Sequence, residues 1–421
     1  MKTSVKLVSS NRGLKNFHLH LFFIFLGMTL CFSPVHAYEV WLTDQSDTAE
    51  KSGGYLYVFD GAQLASNAGQ SQPTHKIDLS GEINAFCKKE TGKAVRRPHM
   101  IFFTKDQHYA VISFLTGQVL FMDTASKTPI GCILVGKNVH AAWPTPDQKM
   151  AIAANIKEKT FVRIWTDYSS KKFGFDKQHD VLNLKAMQTG ERPDNAPICP
   201  ITENTSTYAF VTLRGGGLLV MNVKETPMKV VASLTNRQIN PGGCGGTQVG
   251  DTMYVNSGGG WPVAPLAYDV YAINMSGLPG SVSAKLVSTR DTMFADSHGM
   301  VGVGEYLWVV DRAGNKIEII DTVTNLSVGL INLVGSHSQD PAPDLIGVSL
   351  DNSYVFTNMR GIHPLTGNNK GVNNAKGSTP GIMVIKVTHG GRNGEVAGIV
   401  KISNMKNGKE TADPHGIAVR H

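Results

Sequence analysis

The sequence contains little charge and little cysteine. Charged residues make up 17% of the 421 residues and only five cysteines are present, whereas glycine occurs 44 times. Low charge together with abundant glycine excludes a long coiled coil. The hydrophobic content of 41% excludes an intrinsically disordered chain, because it supplies enough apolar surface to bury. Five cysteines are too few for a disulfide scaffold, so we expect a globular fold with a large core.

Several enzyme motifs are also missing. The sequence has no Gly-x-Ser-x-Gly elbow and no phosphate-binding loop that ends in Gly-Lys-Ser/Thr. The glycine-rich run Arg214–Gly217 is interpreted as a hairpin turn, because no helical segment follows it as a dinucleotide site requires. No residue is therefore assigned a catalytic role from a motif.

Positive charge is concentrated at the N-terminus. Residues 1–37 contain Lys2, Lys6, Arg12 and Lys15 and no acid, so they contribute four of the seven net positive charges. The weak charge that remains gives no reason to expect nucleic acid or an anionic membrane as a partner.

The same N-terminal region has the layout of a secretory signal. The basic stretch is followed by the apolar run Leu21–Phe32 and then by Ser33–Ala37. Twelve apolar residues are too few to span a bilayer as a helix. We predict cleavage after Ala37 and a periplasmic or secreted protein, with an uncleaved anchor as the alternative. The sequence leaves open how the cysteines of the mature chain pair in that oxidising compartment, and these are Cys87, Cys132, Cys199 and Cys244.

The mature chain is built from a repeat. Residues 97–136 form four short apolar runs separated by turn residues, a pattern that indicates strands. Further copies follow at intervals of roughly 40–50 residues, the length of a four-stranded propeller blade. They begin at His140, Arg192, Cys244, Asp296 and Asp344.

The two ends of the mature chain complete one more copy. The opening segment at Tyr38 matches the second strand of the repeat, and the final segment Asp413–His421 matches only the first strand. A C-terminal strand that pairs with the N-terminal blade closes the ring and removes an open sheet edge. The sequence therefore predicts a signal peptide over 1–37 and an all-β, seven-bladed β-propeller as a single domain over 38–421.

One copy also carries a recognisable pattern. Tyr-Ala-Val-x-Ser at 109–113, followed by Gly-x-Val-x-x-x-Asp-Thr at 117–124, resembles the YVTN-type propeller repeats. These repeats are grouped with the propellers of nitrous oxide reductase and haem d-containing nitrite reductase. The resemblance covers Tyr38–His421 and implies the fold. It implies neither reductase activity, because the sequence has no Cys-x-x-Cys-His haem attachment site and no copper-binding cupredoxin domain.

The start of each blade's first strand should lie beside the propeller axis. In the copy that begins at Arg192 the turn is interpreted as longer, so two candidates are kept there. Aligned on the turn aspartate, four axial positions are His99, His140, Cys244 and Asp344. The parallel runs Asp296–Gly299 and Asp413–Gly416 add His298 and His415, and the two candidates in the remaining copy are Asp194 and Asn195.

Four histidines at equivalent positions indicate a transition-metal site, because neutral imidazole is the commonest protein ligand for such ions. We expect the nitrogens of His99, His140, His298 and His415 within about 5 Å of a common point. Copper is favoured, with zinc and iron as alternatives, and a polar channel filled with water is the competing interpretation. The further axial candidates are Cys244, Asp344 and Asp194.

Two long connections are predicted on the same face, at 257–267 and 360–380, where they would roof the axial site. His337 and His363 lie in connections of this face and are secondary ligand candidates.

Three arginines occupy equivalent positions at the ends of second strands, namely Arg214, Arg312 and Arg360. They would either bind an anion or pair with a carboxylate of a neighbouring blade, such as Asp311 or Asp44.

These features predict an exported, monomeric metalloprotein, interpreted as an oxidoreductase that acts on a small polar or anionic substrate. The alternative is a non-catalytic binding propeller that docks another protein on the loop face or delivers a metal. A lactonase-like hydrolase ranks last, because Asp344 and Asp194 are few carboxylates for that chemistry.

Overall fold

The strands form where short apolar runs lie between turns. In Tyr109–Phe114 every residue after the tyrosine is buried, because each blade is packed between two others. The preceding turn is held by Asp106, whose Oδ1 accepts hydrogen bonds from Thr104 Oγ1 and His108 N. The same arrangement recurs at Asp351, so the turn aspartates of the repeat are structural.

The computed structural model describes residues 38–48, 52–259, 266–290 and 294–421. The predicted signal segment, 1–37, lies outside the described residues, as does part of the predicted loop at 257–267. The helices of the described residues include none that is long and apolar enough to cross a membrane.

The strands form seven four-stranded blades, one of which carries a short extra strand; they are numbered in chain order. Blade 1 begins with β1 (Glu39–Asp44), β2 (Tyr55–Asp60) and β3 (His75–Asp78). Blade 2 consists of β4 (Pro98–Phe103), β5 (Tyr109–Phe114), β6 (Gln118–Asp123) and β7 (Pro129–Leu134). Blade 3 consists of β8 (Val139–Pro144), β9 (Met150–Asn155), β10 (Thr160–Asp167), β11 (Lys172–Gly174) and β12 (Val181–Asn183). Blade 4 consists of β13 (Pro197–Thr202), β14 (Tyr208–Leu213), β15 (Leu218–Asn222) and β16 (Lys229–Leu234).

The remaining blades follow the same order. Blade 5 consists of β17 (Gly246–Val249), β18 (Thr252–Gly259), β19 (Leu266–Asn274) and β20 (Ser283–Arg290). Blade 6 consists of β21 (Ser297–Val303), β22 (Tyr306–Asp311), β23 (Lys316–Asp321) and β24 (Leu326–Asn332). Blade 7 consists of β25 (Pro343–Val348), β26 (Tyr354–Met359), β27 (Gly381–Thr388) and β28 (Asn393–Lys401). A small hairpin of β29 (Met405–Lys406) and β30 (Lys409–Glu410) precedes the last strand, β31 (Pro414–Arg420).

Blade 1 is completed by the C-terminal strand, as the sequence predicts. β31 pairs antiparallel with β1, with Leu42 opposite Ile417 and Trp41 opposite Ala418. The first strands of consecutive blades contact one another around the whole ring, from β31 through β4 to β25 and back to β31. The molecule is therefore a closed, seven-bladed β-propeller.

Blade 1 also carries helices that the repeat did not predict. Helix α1 (Gly61–Asn67) follows β2, and its N-cap Asp60 accepts a hydrogen bond from Gln63 N. Helix α2 (Glu82–Thr91) follows β3 and ends at Gly92, which has a φ of 73°. Three single-turn 3₁₀ segments complete the described helices, at Ala68–Gln70, Leu184–Met187 and His389–Gly391.

The cysteine pairing is decided by position in the fold. Cys87 of α2 and Cys132 of β7 form a disulfide that ties the helix to blade 2. Cys199 and Cys244 are free, buried cysteines on adjacent blades.

Candidate metal site at the propeller axis

A single backbone contact identifies the axial position of every blade. An N–H at or just after the end of each second strand donates to the carbonyl two residues before the axial residue, as from Arg360 to Ala342 in blade 7. A register shift at the start of most first strands, typical of a β-bulge, turns the axial side chain toward the channel. By this contact the axial residues are His99, His140, Ile198, Cys244, His298, Asp344 and His415.

Blade 4 differs from the sequence expectation. Its axial residue is Ile198 and not Asp194 or Asn195, because the turn between β13 and β14 has the same length as the turn between β4 and β5. That turn has Thr205 at the position of the usual aspartate, and Glu203, two residues earlier, accepts the hydrogen bonds from backbone N–H groups. The sequence alignment on the turn aspartate therefore failed in this blade. The Asp194 carboxylate lies away from the axis and pairs with Arg214. The Asn195 amide donates to a backbone carbonyl.

Two cysteines and one histidine form the first cluster of ligand atoms. Cys199 Sγ lies 3.4 Å from Cys244 Sγ and 3.6 Å from His140 Nδ1, and the three ligand atoms lie within 4.8 Å of one another. Cys199 is fully buried and Cys244 is 6% exposed. Cys199 directly follows the axial position of blade 4 and was not among the axial residues predicted from the sequence.

Two histidines and one aspartate form the second cluster. His298 Nε2 lies 2.8 Å from Asp344 Oδ1, and His415 Nε2 lies 3.5 Å from Asp344 Oδ2. Asp344 is fully buried. The four predicted histidines thus lie around one channel entrance, where His140 belongs to the first cluster and His298 and His415 belong to the second.

His99 joins the two clusters. Its ring stacks on His415 with centroids 3.7 Å apart and meets the edge of His140 at 4.4 Å. Its Nδ1 lies 3.3 Å from Gln45 Oε1. The buried Nε2 has no hydrogen-bond partner among the described residues.

The local environment shifts the histidine pKa values in opposite directions. Burial lowers the pKa of His99, His140 and His415, and neighbouring positive groups lower that of His99 and His415 further. Burial and Arg312 also act to lower the pKa of His298. Asp344, Cys244 and Asp296 outweigh them and hold this pKa well above the usual value.

The two thiols also differ. The hydrogen bond with Cys199, followed by the nearby histidines, holds the pKa of Cys244 well below its usual value, against the effect of burial. Burial, followed by the Cys244 contact, raises the pKa of Cys199. The two sulfurs share this hydrogen bond at 3.4 Å, and either can be its donor.

A row of alternating charges surrounds the second cluster. Arg312 bonds Asp296 through Nη2 at 2.7 Å and Asp344 through Nη1 at 2.8 Å. Arg360 bonds Asp344 through Nη1 and Asp413 through Nε, both at 2.7 Å. Both arginines are buried, and each bonds one carboxylate of its own blade and one of the next blade. The neighbouring-blade partners are Asp344 and Asp413, not Asp311 or Asp44 as the sequence suggested.

Arg214 is the exception among the three arginines. Its side chain is 38% exposed, and its Nε bonds Asp194 Oδ2 at 2.6 Å. Its two Nη atoms have no hydrogen bond to any described residue. Arg214 is therefore the arginine with donors left for a ligand.

Part of the long loop at 360–380 covers the axis. The strap, residues 365–374, donates from Leu365 N to Asp413 Oδ2 at 2.7 Å. It accepts from Arg312 Nη2 at Gly367 O and from Arg360 Nη2 at Thr366 O. These bonds fix the strap over the row of charges, in agreement with the predicted roof.

A cavity of about 280 Å³ opens between the strap and the two clusters. It is lined by His140, Cys244, His298 and Arg214, together with Asn368 and other strap residues. His337 and His363, the secondary candidates, are exposed and do not line this cavity.

Comparison with known proteins shows the fold alone. No protein-family model and no curated protein matches the chain. A putative 6-phosphogluconolactonase from Bacteroides uniformis superposes with a TM-score of 0.60 at 14% identity, over 91% of this chain and 99% of that one. The dihydro-heme d1 dehydrogenase NirN in complex with DHE gives a TM-score of 0.51 at 11% identity, over 90% and 74%. Chaetomium thermophilum Sqt1, bound to the N-terminus of ribosomal protein L10, gives a TM-score of 0.54 at 12% identity, over 87% of this chain and 84% of that one.

Proposed function

We propose that this protein is an exported metalloprotein that binds one transition-metal ion through His140, Cys199 and Cys244. The observation that carries the proposal is the spacing of the three ligand atoms, 3.4 Å between the sulfurs and 3.6 Å from Cys199 Sγ to the imidazole nitrogen. Ligands about 2.0–2.3 Å from a tetrahedral ion stand about 3.3–3.8 Å apart. Export is supported by the basic, apolar and small-residue order of residues 1–37.

The donor set favours a soft ion. Two sulfurs and one imidazole suit copper(I) and zinc better than calcium or magnesium, which prefer oxygen ligands. His298 borders the same cavity as Cys244 and supplies a further nitrogen beside the cluster. Copper is favoured, because it would also support redox chemistry at a site that opens into a cavity.

The cavity supports an oxidoreductase that acts on a small polar or anionic molecule. Its volume of about 280 Å³ suits a small substrate. Arg214 would hold an anion with the Nη donors that Asp194 leaves free. Asn368 would add an amide from the strap. His298 and Asp344 would hold a proton at Nε2 of the imidazole, next to the cavity.

A carrier that delivers copper(I) or zinc without catalysis is the second candidate. It is favoured by the burial of both cysteines, because such a site would retain a soft ion without needing a substrate. Turnover of a substrate by the metal-loaded protein would separate the two functions.

Metal binding is tested on protein purified from the periplasm of an expression host under anaerobic conditions. We expect about one equivalent of copper or zinc by elemental analysis, and loss of that equivalent in the double variant Cys199→Ser/Cys244→Ser. The control is His363→Ala, which removes an exposed histidine outside the cavity and should keep the metal. A wild-type protein that binds no copper, zinc or iron when reconstituted would disprove the proposal.

The anion site is tested separately by calorimetric titration with formate, nitrite and sulfite. Arg214→Gln should weaken binding of the preferred anion at least tenfold, while Arg237→Gln, an exposed arginine that does not line the cavity, should leave it unchanged. Equal affinities in the two variants would remove Arg214 from the site.

A further inference from the structure

Cys199 and Cys244 are placed for chemistry with each other as well as with a metal. They come from the first strand of blade 4 and the segment just before the first strand of blade 5, and their sulfurs are 3.4 Å apart. A disulfide needs a sulfur–sulfur distance near 2.0 Å, so an approach of about 1.4 Å would join them. Since Cys87 and Cys132 are already bonded, these two are the described cysteines that remain available.

We propose that Cys199 and Cys244 form a reversible disulfide at the propeller axis, and that this bond and the metal ion exclude each other. The second half rests on the proposed metal site, because both uses require the same two sulfurs. In the reduced state each sulfur can donate to a metal. In the oxidised state the sulfurs share their electrons in the S–S bond and no thiolate is left to bind one.

The cavity decides which sulfur reacts first. Cys244 lines it, whereas Cys199 is fully buried behind it. The oxidant we infer is a peroxide, which is small enough for the cavity. Cys244 sulfur attacks one peroxide oxygen, the O–O bond breaks and a sulfenic acid forms. Cys199 sulfur then attacks the Cys244 sulfur, and the oxygen leaves as water.

These steps balance as two thiols and hydrogen peroxide giving one disulfide and two waters. Two electrons pass from the sulfurs to the peroxide oxygens. A small dithiol reverses the reaction, because its own sulfurs become the disulfide and the protons return to Cys199 and Cys244.

The test uses metal-free, reduced protein treated with one equivalent of hydrogen peroxide, followed by alkylation and peptide mapping. We expect the mature chain to lose its two alkylatable thiols and to yield a peptide in which Cys199 is linked to Cys244. Zinc, which does not react with peroxide, should protect the thiols when bound first. The oxidised protein should bind at least tenfold less zinc, and dithiothreitol should restore binding.

The variant Cys199→Ser isolates the first step. It should accumulate a sulfenic acid on Cys244 that dimedone traps, whereas the wild type should not. If this variant fails to fold, the wild-type mapping alone decides. Thiols that stay free or oxidise without becoming linked would overturn the proposal.

The two proposals fail in different ways. Linked cysteines with unchanged zinc binding would overturn the mutual exclusion. Linked cysteines in a protein whose reduced form binds no zinc, copper or iron would refute the metal function and leave the disulfide standing.

Discussion

The side chains around the channel entrance are paired by charge, both within a blade and between neighbouring blades. Asp344 accepts from Arg312 and Arg360, and Asp413 accepts from Arg360. Each charge is buried, so its desolvation is offset only while its partners remain in place. Because Arg312 and Arg360 also hold the strap, the same ion pairs keep the cavity roofed.

Replacing Arg360 with glutamine should therefore destabilise the protein strongly. The variant leaves two buried carboxylates without their shared partner, and we expect a loss of about 3–5 kcal/mol in the free energy of unfolding. Arg214→Gln is the matched control and should cost about 0–1 kcal/mol, because Arg214 is partly exposed. Chemical denaturation of both variants measures the difference. Equal, small losses would show that the row of charges is not needed for stability.

Asp44 should make the stability depend on pH. Burial, partly opposed by hydrogen bonds from Asp413 and Ser46, raises the pKa of Asp44 to about 6, and its Oδ2 has no partner among the described residues. Because the pKa of Asp44 is raised in the folded state, the stability that this group contributes to the fold is complete below about pH 4. It is lost as the pH rises through about 6. The loss from pH 5 to pH 8 is about 1.4 kcal/mol for this group.

The variant Asp44→Asn should remove that contribution. Its Oδ1 can still accept from Ser46 and Asp413, so the local hydrogen bonds are retained. Denaturation curves at pH 5 and pH 8 should show a change smaller by about 1.4 kcal/mol in the variant than in the wild type. The same pH dependence in both proteins would show that Asp44 is not the group responsible for it.

At the scale of the elements, a polar side chain near the end of the second strand joins most blades to the next. Thr212 Oγ1 donates to Gly243 O, and Asn256 Nδ2 donates to His298 O. Ser113 donates likewise to His140 O, and Thr43 to His99 O. These bonds hold the bulged starts of the first strands, and therefore the axial residues, in register between blades.

Thr212→Val should lower the free energy of unfolding by about 1–3 kcal/mol, because it leaves the buried Gly243 carbonyl without this donor. Thr212→Ser, which retains the hydroxyl, is the control and should recover most of the loss. Thermal and chemical denaturation measure both variants. A valine variant as stable as the wild type would indicate that blade packing alone positions Gly243 and Cys244.

At the scale of the whole molecule, the ring depends on one strand from the far end of the chain. β31 supplies the first strand of blade 1 and pairs with β1 along most of its length. Without it, β1 would expose an unpaired edge, and the contacts of β31 with β4 and β25 would be lost.

Deletion of Pro414–His421 should consequently prevent stable folding. We expect no cooperative thermal transition and no native circular dichroism spectrum. A circular permutant is the control: Arg420 lies opposite Glu39, so a short linker from His421 to Tyr38 would make a hairpin, with new ends in the exposed connection at 335–336. The permutant should fold, and a truncated chain that melts like the wild type would disprove closure by β31.

Much of the architecture could be predicted from the sequence, because it depends on local patterns that repeat. Alternating apolar runs, turn aspartates and mismatched ends led to seven blades and to closure by Asp413–His421. The same periodicity identified six of the seven axial positions and the equivalence of Arg214, Arg312 and Arg360. The predicted alignment of blade 4 was wrong because Glu203 accepts the backbone hydrogen bonds of its turn, and no aspartate is present there to align on.

Only the tertiary structure decided which side chains meet. Each of the decisive contacts joins residues of different elements. These contacts are the disulfide of Cys87 with Cys132, the cluster of His140 with Cys199 and Cys244, and the cluster of His298 and His415 with Asp344. Equivalent positions in a repeat share a backbone geometry, but they do not determine the rotamers or the charge partners that neighbouring blades supply. The sequence by itself therefore determined the ring and most of its axial residues, and packing between blades divided those residues into a candidate metal cluster and a buried network of charges.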